Sequence, residues 1–129
     1  MENFKIIAHR GASFDAPENT LASVNLAWTQ GINFVEVDVR LTKDNILVVF
    51  HDETTIRFNK IDKSISEYSF EELLAIDVGL FKGEQWRNES IPTLEDVLKT
   101  IPANGTLVVE LKDGTEMENA LVQLEKRNA

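Results

Sequence analysis

Two rhythms alternate along the chain. From Phe34 to Leu41 every second residue is aliphatic: Val35, Val37, Val39 and Leu41 fall on one side, Phe34, Glu36, Asp38 and Arg40 on the other. A strand produces that split because successive side chains point to opposite faces. Phe4 to His9 reads as a shorter strand before it. Between the two, Leu21, Val24 and Trp28 recur at helical spacing as far as Gly31, and Pro17 suits a first helical turn because its missing N–H would be unpaired there. The turn residues Thr42-Lys43-Asp44-Asn45 send the chain back as Ile46 to Phe50, a hairpin arm that delivers His51 and Asp52. From about residue 53 to 90 the rhythm lapses into a polar stretch, read as an insertion after the second strand, with one helix opened by the capping box Ser69-Phe70-Glu71-Glu72. Thr93 then caps a helix bearing Leu94, Val97, Leu98 and Ile101, Pro102 stops it, and Asn104-Gly105 turns into the strand Thr106 to Lys112. A last helix carries Met117, Ala120, Leu121 and Leu124, with Lys126 and Arg127 near its negative end.

This order, β-α-β, insertion, α-β-α, predicts an α/β fold of parallel strands joined by right-handed crossovers, with residues 1–129 as one unit. The strand faces choose the architecture. A doubly wound sheet wants central strands apolar on both faces, whereas here Glu36 shares a face with Asp38 and Glu110 with Lys112. A (β/α) barrel accommodates polar residues near the C-terminal ends of its strands. The expectation is therefore a partial (β/α)8 barrel of about three βα units. A complete barrel takes about 250 residues, and three strands of one would leave open edges that invite pairing with the rest of a barrel or with another copy of the chain.

Composition narrows the function. Thirteen basic against 22 acidic residues give a net charge of -9, which argues against a nucleic-acid partner bound through many phosphates. One small phosphate in a local pocket remains compatible with it. The absence of cysteine removes thiolate metal sites, so a metal would be held by oxygen or imidazole. No run approaches the ~18 apolar residues of a membrane span, and no polybasic or amphipathic anchor is evident. A cytoplasmic protein acting on a small soluble substrate is the resulting expectation.

The candidate chemistry lies at strand ends. Glu36 and Asp38, roughly 6–7 Å apart along a strand, can direct their carboxylates to one point, and Glu110 completes the set if its strand is the neighbour. Clustered carboxylates repel, and a divalent cation such as Mg²⁺ or Ca²⁺ relieves that repulsion. Taken alone, the Glu-x-Asp pattern is more often the exposed face of an edge strand. His51-Asp52 alone is more often a capped turn than a catalytic pair. In His9-Arg10-Gly11, glycine permits close backbone approach and arginine offers a planar fork to phosphate oxygens. The joint placement of two histidines, an arginine, three carboxylates and Lys112 favours a site over coincidence.

His9-Arg10-Gly11, then Pro17-Glu18-Asn19-Thr20, Glu36-Val37-Asp38-Val39, His51-Asp52, Ile91-Pro92-Thr93-Leu94-Glu95 and Glu110-Leu111-Lys112 together resemble the N-terminal part of the glycerophosphodiester phosphodiesterases. The resemblance covers almost the whole chain in order. It implies a metal-dependent TIM barrel that hydrolyses glycerophosphodiesters to glycerol 3-phosphate and an alcohol. By position it makes Glu36, Asp38 and Glu110 the ligands of Mg²⁺ or Ca²⁺, His9 and His51 the general acid and base, and Arg10 and Lys112 phosphate contacts. Glu18, Asn19 and Asp52 would support the site, although Glu18 could equally be a charge favoured at a helix start. The nucleophile would be the glycerol 2-OH or water. Two rival readings stand beside it: a related lysophospholipid-cleaving or sphingomyelinase D-like phosphodiesterase, and a non-catalytic metal-binding fragment.

Overall fold

The structure, a computed structural model, describes residues 6–112 together with 118, 120 and 121. Phe4, Met117, Leu124, Lys126 and Arg127 therefore lie outside the described residues. The strand β2, Phe34–Leu41, is the centre of the sheet. Its alternation is realised as written: Val35, Val37 and Val39 are fully buried on the outward face. They pack with Val24 and Ala27 of helix α1, Leu21–Thr29, and with Leu94 and Val97 of the helix Leu94–Leu98 further along. Truncating a buried leucine such as Leu94 to alanine in such a cluster costs about 2–5 kcal/mol.

Strand β1, Ile7–His9, runs parallel to β2 and sets His9 opposite Glu36. The last strand, Thr106–Leu111, runs parallel on the other edge and sets Glu110 opposite Asp38. Three parallel strands in chain order, with helices on the outward face, form an arc of a (β/α) barrel as expected. Strand β3, Leu47–Val49, is antiparallel to β2. Val39 pairs with Val49 on one side and with Leu111 on the other, so the hairpin lies on the β1 side of β2, past the end of β1. The Phe50 N–H donates to the Asp38 carbonyl at 2.9 Å, and the next residue is His51.

Three expectations are corrected. Helix α1 begins at Leu21, not in the turn after Pro17, because Asn19 takes a left-handed conformation (φ 55°) and Thr20 becomes the N-cap, its hydroxyl accepting from the Ser23 N–H at 3.1 Å. The helix after Thr93 ends at Leu98, so Ile101 lies beyond it. The stretch 53–90 is not simply polar. It holds α2, Ile56–Asn59, α3, Phe70–Leu73, and three 3-10 turns. Ile65, Tyr68, Leu73, Ile76 and Val78 gather with Val48, Phe50 and Ile91 in a second buried cluster. Its apolar residues are spread over short turns, so no period of two or 3.6 announces them. The helix Leu94–Leu98 is α4 and the strand Thr106–Leu111 is β4. Beyond β4, Ala120 and Leu121 are helical and partly buried against the main core. Among the described residues, no helix is long and apolar enough to cross a membrane.

Candidate active site

The inward face of the sheet collects the polar residues. Glu36, Asp38 and Glu110 each bring a carboxylate oxygen within 4.8 Å of the others. Asp38 is 1 % exposed, and a charge so buried persists only when it is paired. Asn19 Nδ2 donates to its Oδ2 at 3.1 Å, Arg10 Nε lies 3.3 Å from the same oxygen, and Lys112 Nζ stands 3.6 Å from Oδ1. The Asp38 N–H in turn donates to Asn19 Oδ1 at 3.3 Å. Lys112 also donates to Glu110 Oε2 at 2.9 Å.

Glu36 is compensated less. The His9 ring lies beside it, with Nε2 3.6 Å from Oε1. Among the described residues, Glu36 Oε1 and Arg10 Nε are the buried side-chain atoms with no hydrogen bond. Burial, and then the charge of Asp38, raise the Glu36 carboxyl above its ordinary range, while His9 opposes the rise. Glu110 moves the other way, held down by the hydrogen bond from Lys112 and then by that from Glu36. The two shifts are opposite because Glu36 is partly buried beside Asp38, whereas Glu110 is held by Lys112. A converging all-oxygen donor set with one orphaned carboxylate oxygen fits a hard divalent cation.

The loop after β1 is shaped to reach this face. Arg10 takes φ 59°, a left-handed backbone that costs a non-glycine residue on the order of 1–3 kcal/mol. Three hydrogen bonds fix it: its N–H donates to the Glu36 carbonyl at 2.7 Å, and its carbonyl accepts from the Asn19 N–H at 2.9 Å and Ser23 Oγ at 3.1 Å. Gly11 follows at φ 78°, where an added Cβ would run into Ser23. The arginine side chain is thereby turned inward, and its Nη1 donates to Glu18 Oε2 at 3.2 Å. Glu18 is thus a site-facing partner of Arg10, not a helix-start charge.

His51 and Asp52 leave the hairpin at the rim. His51 Nδ1 is 2.9 Å from Asp52 Oδ1, and Arg40 Nε donates to the His51 carbonyl at 2.9 Å. Burial would push the Asp52 carboxyl up, but hydrogen bonds from Arg57 and then His51 hold it below its ordinary value. The candidate site residues named from the sequence therefore lie on this inward face or its rim. Arg57 was missed. It contacts both Glu18 and Asp52, and its only sequence signal is an arginine five residues after Asp52.

The model of the Glycerophosphoryl diester phosphodiesterase family matches residues 9–128. The chain is 42% identical over 110 residues to a glycerophosphodiester phosphodiesterase of Caldanaerobacter subterraneus, covering 84% of this chain and 45% of that protein. It is 35% identical over 116 residues to human Glycerophosphodiester phosphodiesterase 1, covering 86% of this chain and 34% of that one. A solved Oleispira antarctica phosphodiesterase in complex with the product sn-glycerol-3-phosphate has a TM-score of 0.88 at 41% identity, over 96% of this chain and 52% of that chain. The chain spans about half the length of these relatives or less. The family match spans nearly the whole chain, and the chain belongs to the glycerophosphoryl diester phosphodiesterase family.

Proposed function

We propose that this chain supplies the metal, acid-base and phosphate-binding groups for hydrolysis of glycerophosphodiesters to glycerol 3-phosphate and an alcohol. The observation that carries the reading is the convergence of Glu36, Asp38 and Glu110 within 4.8 Å, flanked by Arg10, Lys112 and His9. The glycerol 3-phosphate bound in the Oleispira antarctica relative supports the same substrate class. Glu36, Asp38 and Glu110 would hold Mg²⁺ or Ca²⁺, which supplies Lewis-acid stabilisation of charge on the phosphoryl oxygens.

The chain's own residues do the rest. A phosphodiester anion repels nucleophiles, so Arg10 and Lys112 balance the non-bridging oxygens as charge builds. Their carboxylate partners hold both cations in place before substrate arrives. His9 and His51 divide the proton work: one takes the proton from the attacking hydroxyl, the glycerol 2-OH or water, and the other protonates the departing alkoxide. An ionised carboxylate only accepts, so Asp52 calls for the proton on His51 Nδ1 and leaves Nε2 for that transfer. The open inward face would be completed by further chain or by another copy.

The test is release of glycerol 3-phosphate from a soluble glycerophosphodiester, with Mg²⁺ or Ca²⁺ and with a chelator. Cation-dependent release is expected. A folded sample that binds either cation and releases nothing would overturn the catalytic reading in favour of a metal-binding module.

A further inference from the structure

One guanidinium outside the groups assigned so far makes four hydrogen bonds. Arg57 Nε donates to Asp52 Oδ2 at 3.0 Å and Nη2 to Oδ1 at 3.3 Å. On its other edge Nη2 donates to Glu18 Oε2 at 2.9 Å and Nη1 to Oε1 at 3.3 Å. The rings of Phe58 and Phe81 lie together beside it, 4.5 and 5.6 Å from the guanidinium carbon. An isolated surface ion pair contributes little, but two forked carboxylates with stacking fix an orientation. Each carboxylate holds a site residue in turn: Asp52 meets His51 Nδ1, and Glu18 meets Arg10.

We propose that Arg57 is a positioning residue that fixes the His51 tautomer by gripping Asp52, braced from behind by Glu18. The insertion thereby contributes to the site without touching substrate. Both Asp52 oxygens are engaged by Arg57, so the carboxylate cannot rotate away from the imidazole. Lysine keeps the charge but lacks the two-edged fork, so it cannot hold both carboxylates. The low Asp52 pKa accords with this arrangement, since an ionised acceptor keeps the proton on Nδ1.

This inference rests on His51 as a proton carrier, and its test reads the ring itself, not turnover. Nitrogen-15 NMR at a pH where imidazole is neutral distinguishes Nδ1–H from Nε2–H, and His9→Ala assigns the two histidines. The wild type should show His51 chiefly as Nδ1–H. Arg57→Gln should move it toward Nε2–H, Arg57→Lys should do so partly, and Arg57→Gln should add nothing to Asp52→Ala. If the wild type is already Nε2–H, or if Arg57→Gln and Arg57→Lys both leave the tautomer unchanged, the proposal is wrong; should Arg57→Gln not fold, Arg57→Lys decides. Where turnover is measurable, kcat in Arg57→Lys should fall roughly 10–100-fold, with the melting temperature retained. A purely structural Arg57 would give the reverse. Absent turnover in the wild type would count against the proposed function and leave the tautomer result standing.

Discussion

Glu36, Asp38 and Glu110 stand on adjacent strands of one sheet, whereas Glu18, Asp52 and Arg57 meet from a loop, a hairpin exit and a four-residue helix. The first group is positioned by ladder hydrogen bonds and by the buried Val35, Val37 and Val39 behind it. The second is positioned mainly by its own ion pairs and by the aromatic stack. Strand residues hold their geometry as long as the sheet exists, while a network of side chains depends on every member. The strand site should therefore survive local damage that the rim network does not.

The largest expected effect falls where the two regions join. His51→Ala and His9→Ala should each lower turnover roughly 10²–10⁴-fold. Both side chains are substantially exposed, 34% and 64%, so the melting temperature should barely move. Next comes the insertion's own core. Leu73 is fully buried in the second cluster, and Leu73→Ala should cost about 2–5 kcal/mol. Amide hydrogen exchange should then quicken through residues 53–90 while β2 and β4 stay protected. Uniform loss of protection would mean that the two clusters unfold together and would dissolve the contrast. Smaller again is Ser69→Ala, which removes the acceptor for the Glu72 N–H at 3.2 Å. It should cost about 1 kcal/mol by denaturant melting, confined to the same segment.

What the sequence disclosed follows the same division. The period of two along Phe34–Leu41 assigned Glu36 and Asp38 to one face, and parallel strands in chain order made the Glu110 strand their neighbour, but strand order alone does not fix the register that sets Glu110 opposite Asp38. Nor does it fix the register that sets His9 opposite Glu36. The second cluster was not legible, because Ile65, Tyr68, Leu73 and Ile76 belong to short turns without a sustained period. Nor was Arg57, whose partner Glu18 is 39 positions away in sequence. The start of α1 was misplaced because a left-handed Asn19 cannot be read from Pro17-Glu18-Asn19-Thr20 by spacing. That displacement frees Glu18 and Asn19 to face Arg10 and Asp38.

Acid titration should separate the two regions by sign. Asp52 has a lowered pKa in the folded chain, so as pH falls the unfolded chain takes up its proton first. Its contribution is complete above the ordinary aspartate value, about 3.9, and is lost as pH falls through the folded value. Glu36 behaves oppositely: its raised pKa means the unfolded chain loses the proton first as pH rises, so a penalty sets in from about 4.3 and is complete above the folded value. In chelator at neutral pH, Glu36→Gln should therefore raise stability and Asp52→Asn should lower it. Mg²⁺ or Ca²⁺ should stabilise the wild type by occupying the carboxylates, with a gain that shrinks as pH falls and Glu36 holds its proton. Glu36→Gln should lose most of that gain, while Asp52→Asn should keep it, because Asp52 belongs to the rim network and not to the strand-borne carboxylates. Equal responses from the two variants would show that rim and sheet form one electrostatic unit.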